Sequence, residues 1–382
     1  MVQANEKLIE AARELAETYV RDNAQRIDTQ ELFPREGLQK MAAAGLCGMT
    51  IPKEYGGHDV NATTMCKIME ALAYGCPSTA GVLMAYVIGI QPLVAYGTPE
   101  QKKAYLPKLA TAESSCCLAL TEAHAGSDLA TIRMTARREG DEYVLNGKKV
   151  LIGNVVGSDV CLVVAKTDPD AGHKGISMFV VRNPTPGYTV SHVYTKLGMR
   201  GTTTGEITFD NVRVPASAMV GKEGAGLKHA LSVLDLARLA LAAECVGLAQ
   251  AALEEAVSYA NERVAFGQAI AGHQGIQFMI ADMATKIHAA RVMLYDAAAK
   301  CDAGKAYSTE ASMVKLFASE MCNDVASKGL QINGGAGLVD NPRAQQLFRD
   351  ARYTIMWEGT SEIQRVIISR ATIAAGGKTP KL

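Results

Sequence analysis

A carboxylate beside the only tryptophan of the chain, just ahead of a helix, is the first place to look for chemistry: Ile355-Met356-Trp357-Glu358-Gly359-Thr360-Ser361-Glu362-Ile363-Gln364-Arg365. Ser361 and Gln364 have the S-x-x-Q spacing of a capping box, and Ile363, Val366 and Ile367 recur at helical intervals, so a helix is expected from about Ser361. Glu358 then stands just outside a helix N-terminus. Gly359 frees the backbone for a tight entry, and free N–H groups at that end face an anionic or electron-rich ligand. A carboxylate so placed suits a catalytic base; its plainer role is to complement the helix dipole.

Other chemistries lack their marks. The seven histidines show no H-E-x-x-H or similar spacing, so no zinc site is expected. The nine cysteines form no C-x-x-C pair, and an odd number cannot all pair within the chain, which fits reduced, buried thiols in a cytoplasmic protein. No G-x-G-x-x-G opens a helix after a strand, no P-loop occurs, and Gly334-Gly335-Ala336-Gly337 follows a helix rather than a strand. The G-x-S-x-G elbow of serine hydrolases is also missing. An enzyme made of these residues needs a bound cofactor for its difficult step. With 39 basic and 39 acidic residues the formal net charge is zero, which argues against nucleic acid and leaves a small ligand or a protein as partner.

The elements that must position Glu358 follow from the periodicity. At 382 residues, 48% apolar and 20% charged, the chain can form two or three packed layers or domains. Residues 1–115 read as helices at Asn5–Ala24, Glu36–Ala44, Ala62–Tyr74, Ala80–Tyr96 and Pro99–Leu109, with Pro/Gly punctuation between them. The first of these is amphipathic and charged, unlike a signal peptide. The most apolar run, Ala80–Ile90, ends at Gln91-Pro92, short of the roughly 20 residues of a membrane span, so no membrane insertion is expected. Residues 116–225 switch to period two, with strands at Glu142–Leu145, Val160–Ala165, Ile176–Val181, Tyr188–Val193 and Glu206–Phe209 and turns at Asn146-Gly147 and Pro186-Gly187. An antiparallel sandwich or barrel is expected there. Residues 226–382 return to helices at 227–262, 273–303 and 307–333, a four-helix bundle closed by the helix after Ser361. The whole is an α+β chain, whose long apolar helices are expected to meet other subunits.

Several separated stretches together resemble one family, the flavin-dependent acyl-CoA dehydrogenases, over residues 5–372. They are Thr121-Glu122-Ala123-His124-Ala125-Gly126-Ser127-Asp128, Lys196-Leu197-Gly198-Met199-Arg200-Gly201-Thr202, Arg263-Val264-Ala265-Phe266-Gly267-Gln268, His273-Gln274, Gln331-Ile332-Asn333-Gly334-Gly335 and Trp357-Glu358-Gly359-Thr360. Each is weak alone; all in one order are specific.

The resemblance implies FAD as cofactor. It implies that Leu118, Leu120, Thr121, Gly126, Ser127, Leu151 and Gly153 lie at the flavin, with Thr360 and Glu362 also on the cofactor. Arg263, Phe266, Gln274, Gln331 and Gly335 would bind FAD across a subunit interface, so the site would be complete only in a homotetramer, a dimer of dimers. For the substrate, Asp235 and Arg238 match the helix that meets CoA, and Ser127, Trp357, Gly359 and Gln91 line the acyl end. Some family members carry the base at the position of Ala237; here Glu358 is the base available. It would take the α-proton of an acyl-CoA thioester while the β-hydrogen leaves as hydride to flavin, and an electron-transferring flavoprotein would collect the electrons. The alternatives are an enoyl-CoA reductase using the same site, a non-catalytic flavin- or CoA-binding assembly protein, and an acyl-CoA oxidase, against which stands the missing C-terminal extension. The chain departs from the family in three places: Leu151-Ile152-Gly153 stands for Trp-Ile-Thr or Trp-Ile-Ser, Trp357 for tyrosine, and Ala123-His124 for Pro-Gly. Tyr86 and Gln91 are expected to shorten the acyl cavity, since a long apolar tail would leave the amide unpaired at about 1–3 kcal/mol, favouring acyl groups of about four to seven carbons.

Overall fold

The computed structural model describes residues 2–378. Helices α1 (Val2–Leu15), α2 (Arg21–Gln30), α3 (Arg35–Ala43), α4 (Ala62–Gly75), α5 (Pro77–Tyr96) and α6 (Pro99–Ala110) form the first layer. The single helix expected at Asn5–Ala24 is α1 and α2 joined through a π-helical turn at Ala16–Val20, and it runs on to Gln30. Asn61 and Thr98 cap α4 and α6, the latter with the reciprocal Thr98–Gln101 capping box.

Helix α5 is the helix expected at Ala80–Tyr96, begun three residues earlier, and its apolar stretch outruns Ile90. It continues through Pro92 for 20 residues, long and apolar enough to cross a membrane, but 78% of its apolar window is buried inside the fold. Burial against α4, α6 and the bundle compensates for the backbone hydrogen bond that Pro92 cannot make.

The middle segment is one seven-stranded sheet: β1 (Cys116–Ala119), β2 (Thr135–Glu139), β3 (Glu142–Gly153), β4 (Val160–Lys166), β5 (Ile176–Arg182), β6 (Tyr188–Val193) and β7 (Thr204–Pro215). Its order is β1-β4-β2-β3-β7-β6, with β5 on the other side of β4. The expected antiparallel pattern holds for four pairs, but β1 and β2 both meet β4 in parallel. Asn146-Gly147 is not a turn. It is an irregularity inside the long β3, where Asn146 Oδ1 accepts the Asn211 N–H of β7 at 2.9 Å and the register shifts.

The last segment packs α7 (Gly226–Glu262), α8 (Gln274–Asp302), α9 (Ser308–Ile332) and α12 (Ser361–Ala374) together, with α10 (Gly334–Val339) and α11 (Pro342–Thr354) between α9 and α12. A two-stranded hairpin, β8 (Val264–Ala265) and β9 (Gln268–Ala269), projects between α7 and α8. One continuous apolar core extends from α1 through the sheet into α7, α8 and α9. Helix α7 is its spine, packing against α4 and α5 on one side and α8, α9 and α11 on the other.

Candidate active site

Glu358 lies in the turn between α11 and α12, at a left-handed backbone position (φ 55°) followed by Gly359 at φ 90°. Helix α12 does start at Ser361, but the cap is Thr360, whose hydroxyl accepts the Ile363 N–H at 3.3 Å. Gln364 has a different task from the one its spacing suggests. Its amide reaches back to donate to the Gly359 carbonyl at 3.0 Å and the Glu358 carbonyl at 3.4 Å. Lys315 of α9, fully buried, donates to the same Gly359 carbonyl at 2.7 Å and to that of Ile355 at 3.4 Å.

The Glu358 side chain keeps some exposure yet is sunk deeply enough that desolvation dominates, pushing its pKa up to about 7. Lys315 and Arg238 oppose that rise and do not cancel it. Burial in turn lowers Lys315 to about 8. A carboxylate poised near neutrality can take or give a proton at working pH. Among the described residues the Glu358 N–H has no hydrogen-bond acceptor, leaving it free to donate to a ligand.

Asp235 and Arg238, predicted on one helix, are joined on α7: Arg238 Nη1 bonds the Asp235 carboxylate, which also accepts the Ser308 hydroxyl at 3.1 Å. Arg238 Nε is buried with no partner among the described residues, so this side chain retains donor capacity. Trp357 packs edge-on to Tyr353 at 5.3 Å between ring centroids and against α5 at Gly81. A Cβ at Gly81 would stand 3.2 Å from the indole and 2.7 Å from Met199 Cε, so glycine is what lets α5 approach so closely. The Met199 loop is held in turn by Asp350, which accepts the Met199 N–H, and by Arg349, which donates to the Leu197 carbonyl at 3.1 Å and pairs with Asp28.

Tyr86 and Gln91 are engaged elsewhere. The Tyr86 hydroxyl donates to the carbonyls of Leu109 and Ser114 at 2.5 and 2.7 Å, and Gln91 donates to the Thr50 hydroxyl at 2.8 Å, not to backbone. The face that α5 turns toward Trp357 and Gly153 carries Gly81 and Ala85 instead. Trp357, Met199 and Thr202 gather around Gly81 on that face.

Leu118, Leu120, Thr121, Gly126, Ser127, Leu151 and Gly153 come together along β1, the loop after it and the end of β3. Val150 N–H donates to the Thr121 carbonyl at 2.9 Å, fastening loop to strand. Gly126 and Ser127 are exposed, no atom lies within 4 Å of where a Gly126 Cβ would stand, and Leu151 is 62% exposed at a left-handed φ. This open ledge suits a flat ring. The loop rests on a buried ion pair that the sequence did not reveal: Lys149 Nζ to Glu122 at 2.9 Å, with Glu122 also accepting the Arg133 and Met134 N–H groups at 2.7 and 3.0 Å. Burial alone would lift the Glu122 carboxyl, but Lys149 and those N–H groups hold it below the usual range.

The remaining predicted residues form two exposed groups with no hydrogen bond to the ledge among the described residues. Arg263, Phe266 and Gln274 cluster at the hairpin and the start of α8, with Phe266 97% exposed at the tip and His273 fastening the hairpin through the Ala265 carbonyl at 3.1 Å. Gln331 and Gly335 are exposed where α9 meets α10. Exposed Glu362 begins α12, and its own N–H and the Thr360 hydroxyl hold its carboxyl below the usual range.

Residues missed in the sequence are Lys315 and the Glu122–Lys149 pair, whose partners lie far along the chain, and Glu244, which has none among the described residues. The last is wholly buried on α7 with both carboxylate oxygens unpartnered among the described residues, and burial, then Cys245, Asp350 and Glu358, raise it well above the usual range. The available signal was a charged residue inside an apolar run, as in Ala242-Ala243-Glu244-Cys245-Val246 and Val314-Lys315-Leu316.

Three family profiles cover nearly the whole chain: the acyl-CoA dehydrogenase N-terminal domain matches residues 3–113, the middle domain 117–212 and the C-terminal domain 224–373. Acryloyl-CoA reductase (NADH) of Anaerotignum propionicum is 41% identical over 97% of this chain and 94% of its own. The mitochondrial short-chain specific acyl-CoA dehydrogenase of Homo sapiens is 38% identical over 96% and 89%. A solved chain from work on the electron transferring flavoprotein of Acidaminococcus fermentans and flavin-based electron bifurcation superposes with a TM-score of 0.95 at 37% identity, covering 98% of both chains. PigA with FAD and proline gives 0.94 at 31% identity, over 98% of this chain and 99% of PigA.

Proposed function

The chain belongs to the acyl-CoA dehydrogenase family of flavoprotein oxidoreductases, and from that premise we propose that it interconverts a short, branched or alicyclic acyl-CoA and its 2-enoyl-CoA, with Glu358 as the proton-transferring group. The observation that carries this reading is the half-sunk Glu358 carboxyl, poised at about 7 beside an unpaired N–H. FAD, when bound, supplies the acceptor for the β-hydrogen. It would rest on the ledge of Leu118, Leu120, Thr121, Gly126, Ser127, Leu151 and Gly153, with Thr360 and Glu362 at its side; the open space over Gly126 and the exposed Leu151 fit a flat ring.

The chain's own residues do the rest. Glu358 holds the α-proton, and its N–H donates to the thioester carbonyl, acidifying the α-carbon. Arg238, held by Asp235, takes the CoA portion, while Trp357, Ser127 and Gly359 enclose the acyl end. Trp357 packed against Gly81 supports a compact acyl group.

We further propose a cytoplasmic homotetramer, a dimer of dimers, in which Arg263, Phe266, Gln274, Gln331 and Gly335 complete a neighbour's FAD site. Apolar side chains open to solvent on the last segment support this, among them Phe266, Phe278, Val292, Leu338 and Val339. An electron-transferring flavoprotein is the proposed electron partner, as the likeness to the chain from the Acidaminococcus fermentans study suggests. A second reading runs the chemistry toward the saturated thioester. The 41% identity to an acryloyl-CoA reductase favours it, and a carboxyl at about 7 serves as acid as readily as base.

Anaerobic mixing of the FAD-loaded protein with a panel of acyl-CoAs tests the reading. We expect short and alicyclic thioesters to bleach the flavin at a rate that rises with pH through about 7, since the base must be deprotonated to act. Flavin untouched by any acyl-CoA, and reduced flavin untouched by any enoyl-CoA, would leave only a binding role. Equal or faster bleaching by palmitoyl-CoA would refute the compact acyl site.

A further inference from the structure

The turn that carries Glu358 is held in an unusual way. Two successive left-handed positions, Glu358 and Gly359, persist only where the surroundings over-determine them. Besides the Ser361 N–H, which donates to the Ile355 carbonyl at 3.0 Å, two side chains tie the turn: Gln364 from within α12, and Lys315 from α9, more than forty residues away in sequence. Lys315 is a fully buried lysine in a row with Ala311, Val314, Ala318 and Cys322, and its ammonium reaches the carbonyls of Ile355 and Gly359, one on each side of the base. An apolar helix face of this kind gains nothing from a charge unless the charge has work to do.

We propose that Lys315 is a positioning residue for the proton transfer: it pins the two carbonyls that bracket Glu358 and so sets a cation of α9 beside the turn that carries the carboxylate. The proposal rests on Glu358 being the proton-transferring group. The other groups bearing on Glu358 are Arg238 and Glu244 from α7, Tyr353 from α11 and, through Lys315, Glu362 of α12, with buried Asp350 behind Glu244. Both cations favour the ionised base, and Arg238 is itself paired with Asp235. Lys315 has no carboxylate partner among the described residues within ion-pair distance, and the groups that bear on its charge are Cys245 of α7 first and then Glu358, so its charge is the less compensated of the two.

The sign of the effect is fixed. Removing a cation disfavours the carboxylate, so the apparent pKa of Glu358 moves up from about 7. A purely structural lysine would lower the rate at every pH without moving the midpoint.

Two variants, Lys315→Met and Lys315→Gln, separate these outcomes. Each is purified with FAD, and acyl-CoA-driven bleaching is followed across the midpoint alongside hydrogen–deuterium exchange of residues 355–361. In Lys315→Met we expect the midpoint to rise by about one pH unit, a loss of about tenfold on the acid limb beyond any fall in the plateau. The turn amides should also exchange faster. Lys315→Gln, which keeps a donor but no charge, should show the same shift of midpoint with less loosening. A midpoint unmoved in either FAD-loaded variant overturns the proposal, and if Lys315→Met does not fold, Lys315→Gln decides it. Failure of the underlying reading looks different: Glu358→Gln would then bleach at the normal rate, while the exchange data still report whether Lys315 holds the turn.

Discussion

Glu358→Gln is expected to keep FAD and the fold while losing acyl-CoA-driven flavin reduction by about 10²–10⁴-fold, the usual contribution of a positioned general base. Glutamine has the same shape and can occupy the same left-handed position, and the ties that hold the turn, from Lys315 and Gln364, reach main-chain carbonyls rather than the side chain at 358. What is lost is the ability to hold a proton. The backbone N–H that would polarise the thioester remains, so binding of the thioester should weaken little while the reduction rate collapses. That split between affinity and rate distinguishes a missing base from a distorted pocket. Stopped-flow bleaching within about threefold of wild type, well short of the 10²-fold lower bound, would remove Glu358 from the mechanism.

The second large effect concerns residues that lie away from Glu358. Arg263 and Phe266 sit on the hairpin between α7 and α8, and an aromatic ring 97% exposed at its tip has no reason to be there in a lone subunit. If this hairpin completes a neighbour's cofactor site, Arg263→Ala removes charge-assisted hydrogen bonds to the FAD pyrophosphate worth about 1.5–3 kcal/mol, a loss of roughly tenfold to a hundredfold in FAD affinity. Phe266→Asp should do more, converting the assembly to smaller species that release flavin together. Sedimentation with absorbance at the flavin and protein bands measures both. A wild-type monomer that holds stoichiometric FAD, or an Arg263→Ala variant with unchanged FAD affinity, would refute the shared site.

The long helices and the Glu358 turn could be read from sequence because their signals are local: periodic apolar residues, Pro and Gly at the boundaries, and a cap within one turn. Even there the cap was displaced by one residue, since Thr360 and Ser361 are chemically alike and only the backbone at Glu358 and Gly359 decides between them. The short strands β1 and β2 escaped notice. Cys116–Ala119 has too few residues to show alternation, and Thr135–Glu139 carries the charges of a strand that is partly exposed. The partner of Gln91 was hidden for a related reason. A polar residue in an apolar helix announces a partner but not where the partner is, and Thr50 lies in a loop whose fold no local pattern specifies. Lys315, Glu122 with Lys149, and Arg349 with Asp28 were invisible for the same cause, being pairings across tens to hundreds of residues.

The backbone at Glu358 also has a price in durability. A left-handed φ at a residue with a Cβ costs roughly 1–2 kcal/mol, and glycine would bear it freely. The raised carboxyl adds to this with a definite sign: its contribution to stability is intact below the unfolded value near 4.5 and is lost as pH rises through about 7. Glu358→Gly should therefore melt higher than wild type, by a margin that widens from acid to neutral pH, while doing no chemistry. A thermal-shift screen that shows no such gain would mean that the strain is relieved elsewhere. If the gain is there, selecting this protein for heat resistance alone selects for a dead enzyme, and any campaign to harden it must keep turnover in the assay from the first round.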